Sequence, residues 1–370
     1  MNTIQRNRCA VTGSKNLKEV FTFKNFPIFM GCVDLEDTTP DQFYDMKWGV
    51  SDEGIIQLME LLPLDILYFT HHTPGTVGKT WELHHKKFAE FIKKSNPKNI
   101  LEIGGATGKL VNHFISTNEK FSWNIIEPSE QKSKDPRVKF FRGFFEEFEF
   151  DQKFDAVVHS HLCEHVYNPH VFFDKVSSIL DVGGVQYISI PNMKHWLSMG
   201  YLNTLNFEHT FYIDEYVLKY ILSQYNFEIE EQEIDNHSIF IKAVKIEKNK
   251  KNNEFNFSYI KPMFNKYVQN LIDDVKFINK KLDSEKFYLF GAHIFSQYLI
   301  SMGIDENQII YILDNDANKQ ERRMYGTNIL VKSPTSLRDI NFPKIVVRSG
   351  SYDHEIKKGI LEINKTAIFI

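Results

Sequence analysis

Residues 100–108, Ile-Leu-Glu-Ile-Gly-Gly-Ala-Thr-Gly, run from an apolar strand into a glycine-rich bend. A helical stretch follows, with Leu110, Val111, Phe114 and Ile115 on one face. Such a strand–bend–helix unit brings bare backbone close to a ligand at the carboxyl edge of a parallel sheet. Glu127 closes the next apolar run, 19 residues after Gly108, just before Pro128. An acid there can accept hydrogen bonds from both hydroxyls of a ribose. The layout suits an adenosine-containing cofactor.

Phosphate-binding loops fit poorly. A P-loop needs four residues between its glycines and Lys-Ser/Thr after the second; here Gly104 and Gly108 enclose three, and Leu110 follows Lys109. The run Gly104-Gly105-Ala106-Thr107-Gly108 also misses the G-x-G-x-x-G of dinucleotide folds. What remains is acid-x-Gly-Gly-x-x-Gly, opened by Glu102 within the strand. An acid at that point favours a ligand with an ammonium group and a cationic sulfur. The pattern resembles the first motif of class I S-adenosylmethionine (SAM) methyltransferases.

Further strands are expected over 121–128, 138–143, 154–161 and 184–192. A helix capped by Asn168, with Pro169 at its first position and Gly183 ending it, lies between the last two. Another is expected over 213–225 behind Asp214. Alternating strands and helices imply a parallel α/β sheet with its ligands beyond the strand carboxyl ends. The order of these segments, with Asp155 to His165 and Ile190-Pro191-Asn192, also resembles the SAM methyltransferase pattern.

A chain of 370 residues holds two or three compact units. Its 44 basic and 48 acidic residues give no positive field for nucleic acid. No apolar run long enough for a membrane span and no apolar leader occur, and Cys9, Cys32 and Cys163 form no disulfide framework. A cytoplasmic protein is expected, of unspecified oligomeric state. The polar run Lys245–Asn253 marks a connection. Beyond it come a helical region near 258–283 and a second strand–glycine unit, Phe287-Tyr288-Leu289-Phe290-Gly291-Ala292. Apolar runs ending in Asp314 and at Val347 follow. The first 85 residues read as less regular. Expected units are 1–85, 86–245 and 246–370.

The whole chain resembles the SAM-dependent C-methyltransferases of nucleotide-linked deoxysugars. The likeness rests on Gly75–His84, Asn203–Thr210, Phe290-Gly291-Ala292, Leu313–Asp316 and Tyr325-Gly326-Thr327, in that order. It implies a small zinc-binding-like N-terminal domain that holds substrate, a class I SAM domain and a Rossmann-like C-terminal domain. The sugar nucleotide would lie between them, with the product bound for a surface glycan. Two departures stand out. The paired C-x-x-C zinc motifs are missing, and the possible donors Cys9, Cys32, His71 and His72 have the wrong spacing, so no metal is expected. The family's Tyr-His-Glu-His reads Asn206-Phe207-Glu208-His209, which leaves C- and O-methylation both open.

The expected cofactor set is Glu102, Gly104, Gly105, Gly108, Glu127, Pro128, Phe144, Phe145, Ser160, His161 and Trp81. The two phenylalanines would flank adenine, with core packing the alternative for either one. Trp81 would close over the cofactor unless it is simply buried. His84, His165 and Asn206 are assigned to substrate. His209 is the expected general base, with Glu208 orienting it or holding substrate hydroxyls. His159, His161 and His165 do not share one face and are not expected to hold metal. The alternatives are O- or N-methylation of another small acceptor, or a SAM-fold protein that binds a nucleotide sugar without catalysis.

Overall fold

The structure, a computed structural model, describes residues 3–67, 78–115, 120–129, 131–248 and 255–370. His71 and His72, the start of the Gly75–His84 stretch and most of the polar connection lie outside them.

The N-terminal part is more regular than its sequence suggests. Strands β1 (Leu17–Pro27), β2 (Phe43–Ser51) and β3 (Ile56–Leu58) form an antiparallel sheet. Register breaks at Glu19/Phe21 and Phe23/Phe26 blur the period-two alternation by which a strand is read.

The centre is a seven-stranded sheet. Its elements are α1 (Lys79–Lys93), β4 (Asn99–Ile103), α2 (Lys109–Phe114), β5 (Ser122–Glu127), β6 (Val138–Arg142), β7 (Phe154–Ser160), α3 (Pro169–Ser178), β8 (Leu180–Pro191), α4 (Glu215–Gln224), β9 (Phe227–Ile234) and β10 (Ser238–Lys245). The strand order is β9-β10-β8-β7-β4-β5-β6, and only β10 runs against its neighbours. The four strands expected first fall close to the anticipated bounds. Asn168 and Asp214 cap α3 and α4 through their side chains.

One helix end is corrected. Helix α3 stops at Ser178, and Gly183 lies inside β8, at a register shift opposite Phe154/Ala156. With φ +88°, Gly183 serves that irregularity in the strand.

The C-terminal part begins with α5 (Ile260–Leu282), followed by β11 (Phe287–Phe290), α6 (Ile294–Ser301), β12 (Ile309–Leu313), β13 (Val331–Lys332), β14 (Lys344–Val347), α7 (Asp353–Ile363) and β15 (Ile368–Phe369). Its all-parallel sheet has the order β13-β12-β11-β14-β15.

The three sheets share one apolar seam. Tyr298 of α6 stands 5.0 Å from Phe23 and 4.8 Å from Phe26, and Phe26 is 6.2 Å from Phe207. The Tyr298 hydroxyl donates to the Leu205 carbonyl. Arg323 grips Asp41 through two nitrogens, and Arg322 meets Asp34 at 2.7 Å. The acidic turns of the N-terminal part thus dock on the C-terminal part.

Candidate active site

The first glycine bend begins where β4 ends. Gly104 (φ +71°) donates its N–H to the Ile126 carbonyl at 2.9 Å, and Gly108 (φ +73°) opens α2. Both need a left-handed backbone that glycine adopts without penalty. Glu127 turns back over the bend: one carboxylate oxygen accepts the Ala106 N–H at 3.0 Å, the other the Ser129 N–H and hydroxyl. Glu102 lies beneath, fully buried, and accepts the Trp123 indole N–H at 2.7 Å. Gly105 packs so closely that a Cβ there would meet the Glu102 carboxyl carbon at 2.8 Å. Burial pushes Glu102 up to about 7, the Trp123 hydrogen bond opposes this, and the nearby Glu127 charge adds to it. The two acids and the glycine bend therefore converge, as the spacing requires.

The aromatic pair divides. Phe144 is 42% exposed, whereas Phe145 is buried, with its ring 5.3 Å from Phe172 of α3. Phe145 is a core residue and has no face to offer adenine. The expectation for it is corrected.

Beyond β7 the chain turns through His161, which takes φ +47° while its N–H donates to the Ser189 carbonyl. A non-glycine residue held in that region at a strand end is a strained position of the sort found at functional sites. Glu164 follows, fully buried, and neither carboxylate oxygen has a hydrogen-bond partner among the described residues. One oxygen stands 3.7 Å from His161 Nδ1 and 3.7 Å from His165 Nε2. His165 Nδ1 in turn lies 3.7 Å from a Glu208 oxygen, and its ring centre is 5.1 Å from that of His209.

Asn206 builds the local shape of Glu208 and His209. Its side-chain oxygen accepts both backbone N–H groups at 2.8 Å, and its amide donates to the Asn203 carbonyl. These bonds use both lone pairs of the oxygen and one of the two amide N–H groups, and the residue is buried, so Asn206 acts first as a positioning residue. His209 Nδ1 is 2.7 Å from the Thr204 carbonyl, which can only accept. Nδ1 therefore carries the proton, and Nε2 carries the lone pair. Burial holds His209 down at about 4 and pushes Glu208 up to about 7. The imidazole is neutral at physiological pH. Arg6 steadies this loop from the N-terminal part through the Thr210 and Tyr167 carbonyls, a link no sequence pattern signals.

On the adjoining wall Trp81, near the start of α1, faces three imidazoles. Its ring centre is 4.9 Å from His161, 4.9 Å from His237 and 5.2 Å from His84. His84 bonds Ser160 Oγ at 2.9 Å and Ser238 Oγ at 3.0 Å. The polar partners of this buried histidine are thus protein hydroxyls. His237 and Ser238 were missed in sequence because the β9–β10 hairpin was not recognised. The alternation in Phe227–Ile234 and Ser238–Lys245 about a polar turn was the available signal.

Residues 78–232 match the family described as Methyltransferase domain. No curated protein sequence matches the chain significantly. Among solved structures, the chain is similar to the 1,6-didemethyltoxoflavin-N1-methyltransferase of Burkholderia thailandensis, with 12% identity and TM-score 0.36 over 45% of this chain and 80% of that one. It is similar to the N-methyltransferase NodS of Bradyrhizobium japonicum, with 16% identity and TM-score 0.33 over 45% and 96%. Magnesium protoporphyrin IX methyltransferase from Synechocystis, solved with S-adenosylhomocysteine, gives 13% identity and TM-score 0.35 over 47% and 90%. The acceptors of these neighbours say nothing about the acceptor here. Residues 78–232 are a methyltransferase domain with the α/β fold of the class I, SAM-dependent type, and the chain is a methyltransferase.

Proposed function

We propose that the chain methylates a carbon or oxygen of a nucleotide-linked sugar, in the making of a surface glycan, and that it is organised as units 1–85, 86–245 and 246–370. The second glycine bend carries the acceptor class. Gly291 donates to the Leu313 carbonyl at 2.8 Å, and Asp314 accepts the Ala292 N–H at 2.9 Å. This repeats the scheme of Gly104, Ile126 and Glu127, and offers a second acid at a strand tip for a ribose. The ordered likeness to sugar methyltransferases across the chain supports the same reading.

The residues of the first bend fit SAM. Glu102 is a buried carboxyl whose neighbours are Trp123 and Glu127, with no cation beside it among the described residues. A ligand ammonium would supply that charge. Glu127 with Pro128 would hold the ribose, Gly104, Gly105 and Gly108 would let the cofactor approach, and Phe144 would cover adenine. Ser160, His161 and Trp81 would line the methionine end. When bound, SAM supplies an electrophilic methyl on a cationic sulfur, open to in-line displacement.

His209 Nε2, neutral and with a fixed tautomer, would take the acceptor proton, and Glu208 with His165 would hold the sugar beside it. Alignment and proton removal are the chain's main tasks in such a displacement. The test is turnover with a panel of nucleotide-linked sugars, followed by product mass and NMR. His209→Ala is expected to lower kcat by about 10²- to 10⁴-fold while SAM affinity holds. Unchanged turnover rejects His209 as base. Methylation of small acceptors, with every nucleotide sugar refused, rejects the acceptor class.

A further inference from the structure

Three imidazoles from separate elements aim at one point. His84 Nδ1, His161 Nε2 and His237 Nδ1 lie 3.0, 2.8 and 2.7 Å from Ser238 Oγ. One ring nitrogen of each histidine lies within 4.8 Å of those of the other two. His84 belongs to α1, His161 follows β7 at its strained turn, and His237 precedes β10. We propose that His84, His161 and His237, with the Ser238 hydroxyl as fourth donor, form a site for one divalent transition-metal ion, zinc being the type these donors suit.

The geometry is close to what such an ion needs. With bonds of about 2.1 Å, neighbouring donors of a tetrahedral ion stand about 3.4 Å apart. The three nitrogen–oxygen separations here are slightly shorter, and the nitrogen–nitrogen separations reach no more than 4.8 Å. Shifts of about an ångström in side-chain position separate the cluster from a four-donor site.

Two of the rings have an outer polar group that an outward-pointing N–H can face. His161 Nδ1 faces the Glu164 carboxyl at 3.7 Å, and both oxygens of that buried group are without hydrogen bonds among the described residues. His84 Nε2 faces Ser160 Oγ at 2.9 Å. An imidazole that donates outward through one nitrogen presents the other as a metal ligand, and a carboxylate behind the ring is a recurrent partner. The Ser238 hydroxyl can donate to one of the nitrogens it faces and accept from the other two, whereas a cation would draw all three ring lone pairs and the hydroxyl oxygen to one centre.

The turn that carries His237 and Ser238 is itself built. Asp235 accepts both backbone N–H groups at 2.8 Å and pairs with Lys87 of α1 at 2.9 Å. With Ser238 as ligand no coordination position stays open, so the ion's task is structural. It fixes the start of α1, and Trp81 with it, against the carboxyl edge of the sheet. The expectation of no metal considered Cys9, Cys32, His71 and His72 in one group and His159, His161 and His165 in another, and among these only His161 belongs to the cluster.

The test uses the full chain, stripped with chelator and titrated with Zn²⁺ or Co²⁺. The expected result is uptake of one equivalent, visible absorption of tetrahedral Co²⁺ without thiolate charge-transfer bands, and a melting temperature raised by several degrees. His237→Ala and Ser238→Ala are expected to weaken uptake at least tenfold, and exposed His354→Gln to leave it unchanged. Should either site variant fail to fold, the Co²⁺ spectrum of the unaltered chain still decides. Absence of stoichiometric uptake, an octahedral or thiolate spectrum, or equal uptake by folded His237→Ala would overturn the site.

Discussion

The two glycine bends follow one plan with different chemistry. In each, a glycine N–H donates across to a carbonyl of the neighbouring strand, and the acid that follows that carbonyl captures an alanine N–H. Two residues before the glycine they diverge: Glu102 in the first bend, Leu289 in the second. The first bend thus holds two carboxyls around one cleft. The second holds Asp314, which Lys319 approaches at 3.3 Å, and the buried Ser349 hydroxyl, which has no hydrogen-bond partner among the described residues. A shared backbone scheme fixes where a ribose-bearing ligand could sit. The first bend has a second, buried carboxyl and no cation beside it among the described residues, whereas the acid of the second already has Lys319 near it.

Removing the shared element from each bend is the strongest way to break the comparison. Glu127→Ala is expected to weaken SAM binding about 100-fold, since two hydrogen bonds to a charged acceptor are lost. Asp314→Ala should leave SAM affinity alone and raise KM for the nucleotide sugar. Calorimetry and steady-state kinetics on both variants check this, and a SAM defect in Asp314→Ala would dissolve the division of labour.

The element that differs gives a smaller, pH-dependent effect. Burial raises Glu102 to about 7 in the free protein, so below that pH it is largely protonated. A cationic ligand prefers the carboxylate, and SAM affinity should therefore fall as pH drops through 7, by up to about tenfold per unit, and level off above it. Glu102→Gln should bind more weakly at pH 8 and lose the slope; a slope retained in that variant removes Glu102 as its source.

Backbone room gives the smallest expected difference. A Cβ on Gly105 would lie 2.7 Å from Ile125 Cγ2, so Gly105→Ala should cost about 1–3 kcal/mol and impair SAM binding. Gly291→Ala meets nothing nearer than Ser349 Oγ at 3.5 Å, but its φ of +102° strains alanine by about 1–2 kcal/mol. Denaturant melts should show both losses, with SAM binding affected in the first alone.

Much of the central sheet was legible because its signals are local. Gly104–Gly108, Glu127 and the caps Asn168 and Asp214 each act within a few residues of the backbone they shape. Gly183 misled because the same left-handed glycine suits a helix end and a break in strand register. Phe144 and Phe145 are adjacent and alike in sequence; α3, which buries only the second, comes from farther along the chain. His84, His161, His237 and Ser238 gather across more than 150 residues, and no spacing rule joins them. Asn206 was read as a ligand contact because its amide could serve one, whereas the loop's own N–H groups claim its oxygen.

The hydroxyl of Tyr298 and the guanidinium of Arg6 hold opposite ends of the segment that bears His209. That segment is common property of the first and last parts of the chain. A minimal enzyme trimmed to the matched 78–232 region would keep its cofactor strands yet lose both anchors. Shortening or domain grafting in this scaffold should therefore retain residues 3–8 and helix α6 together with the central sheet.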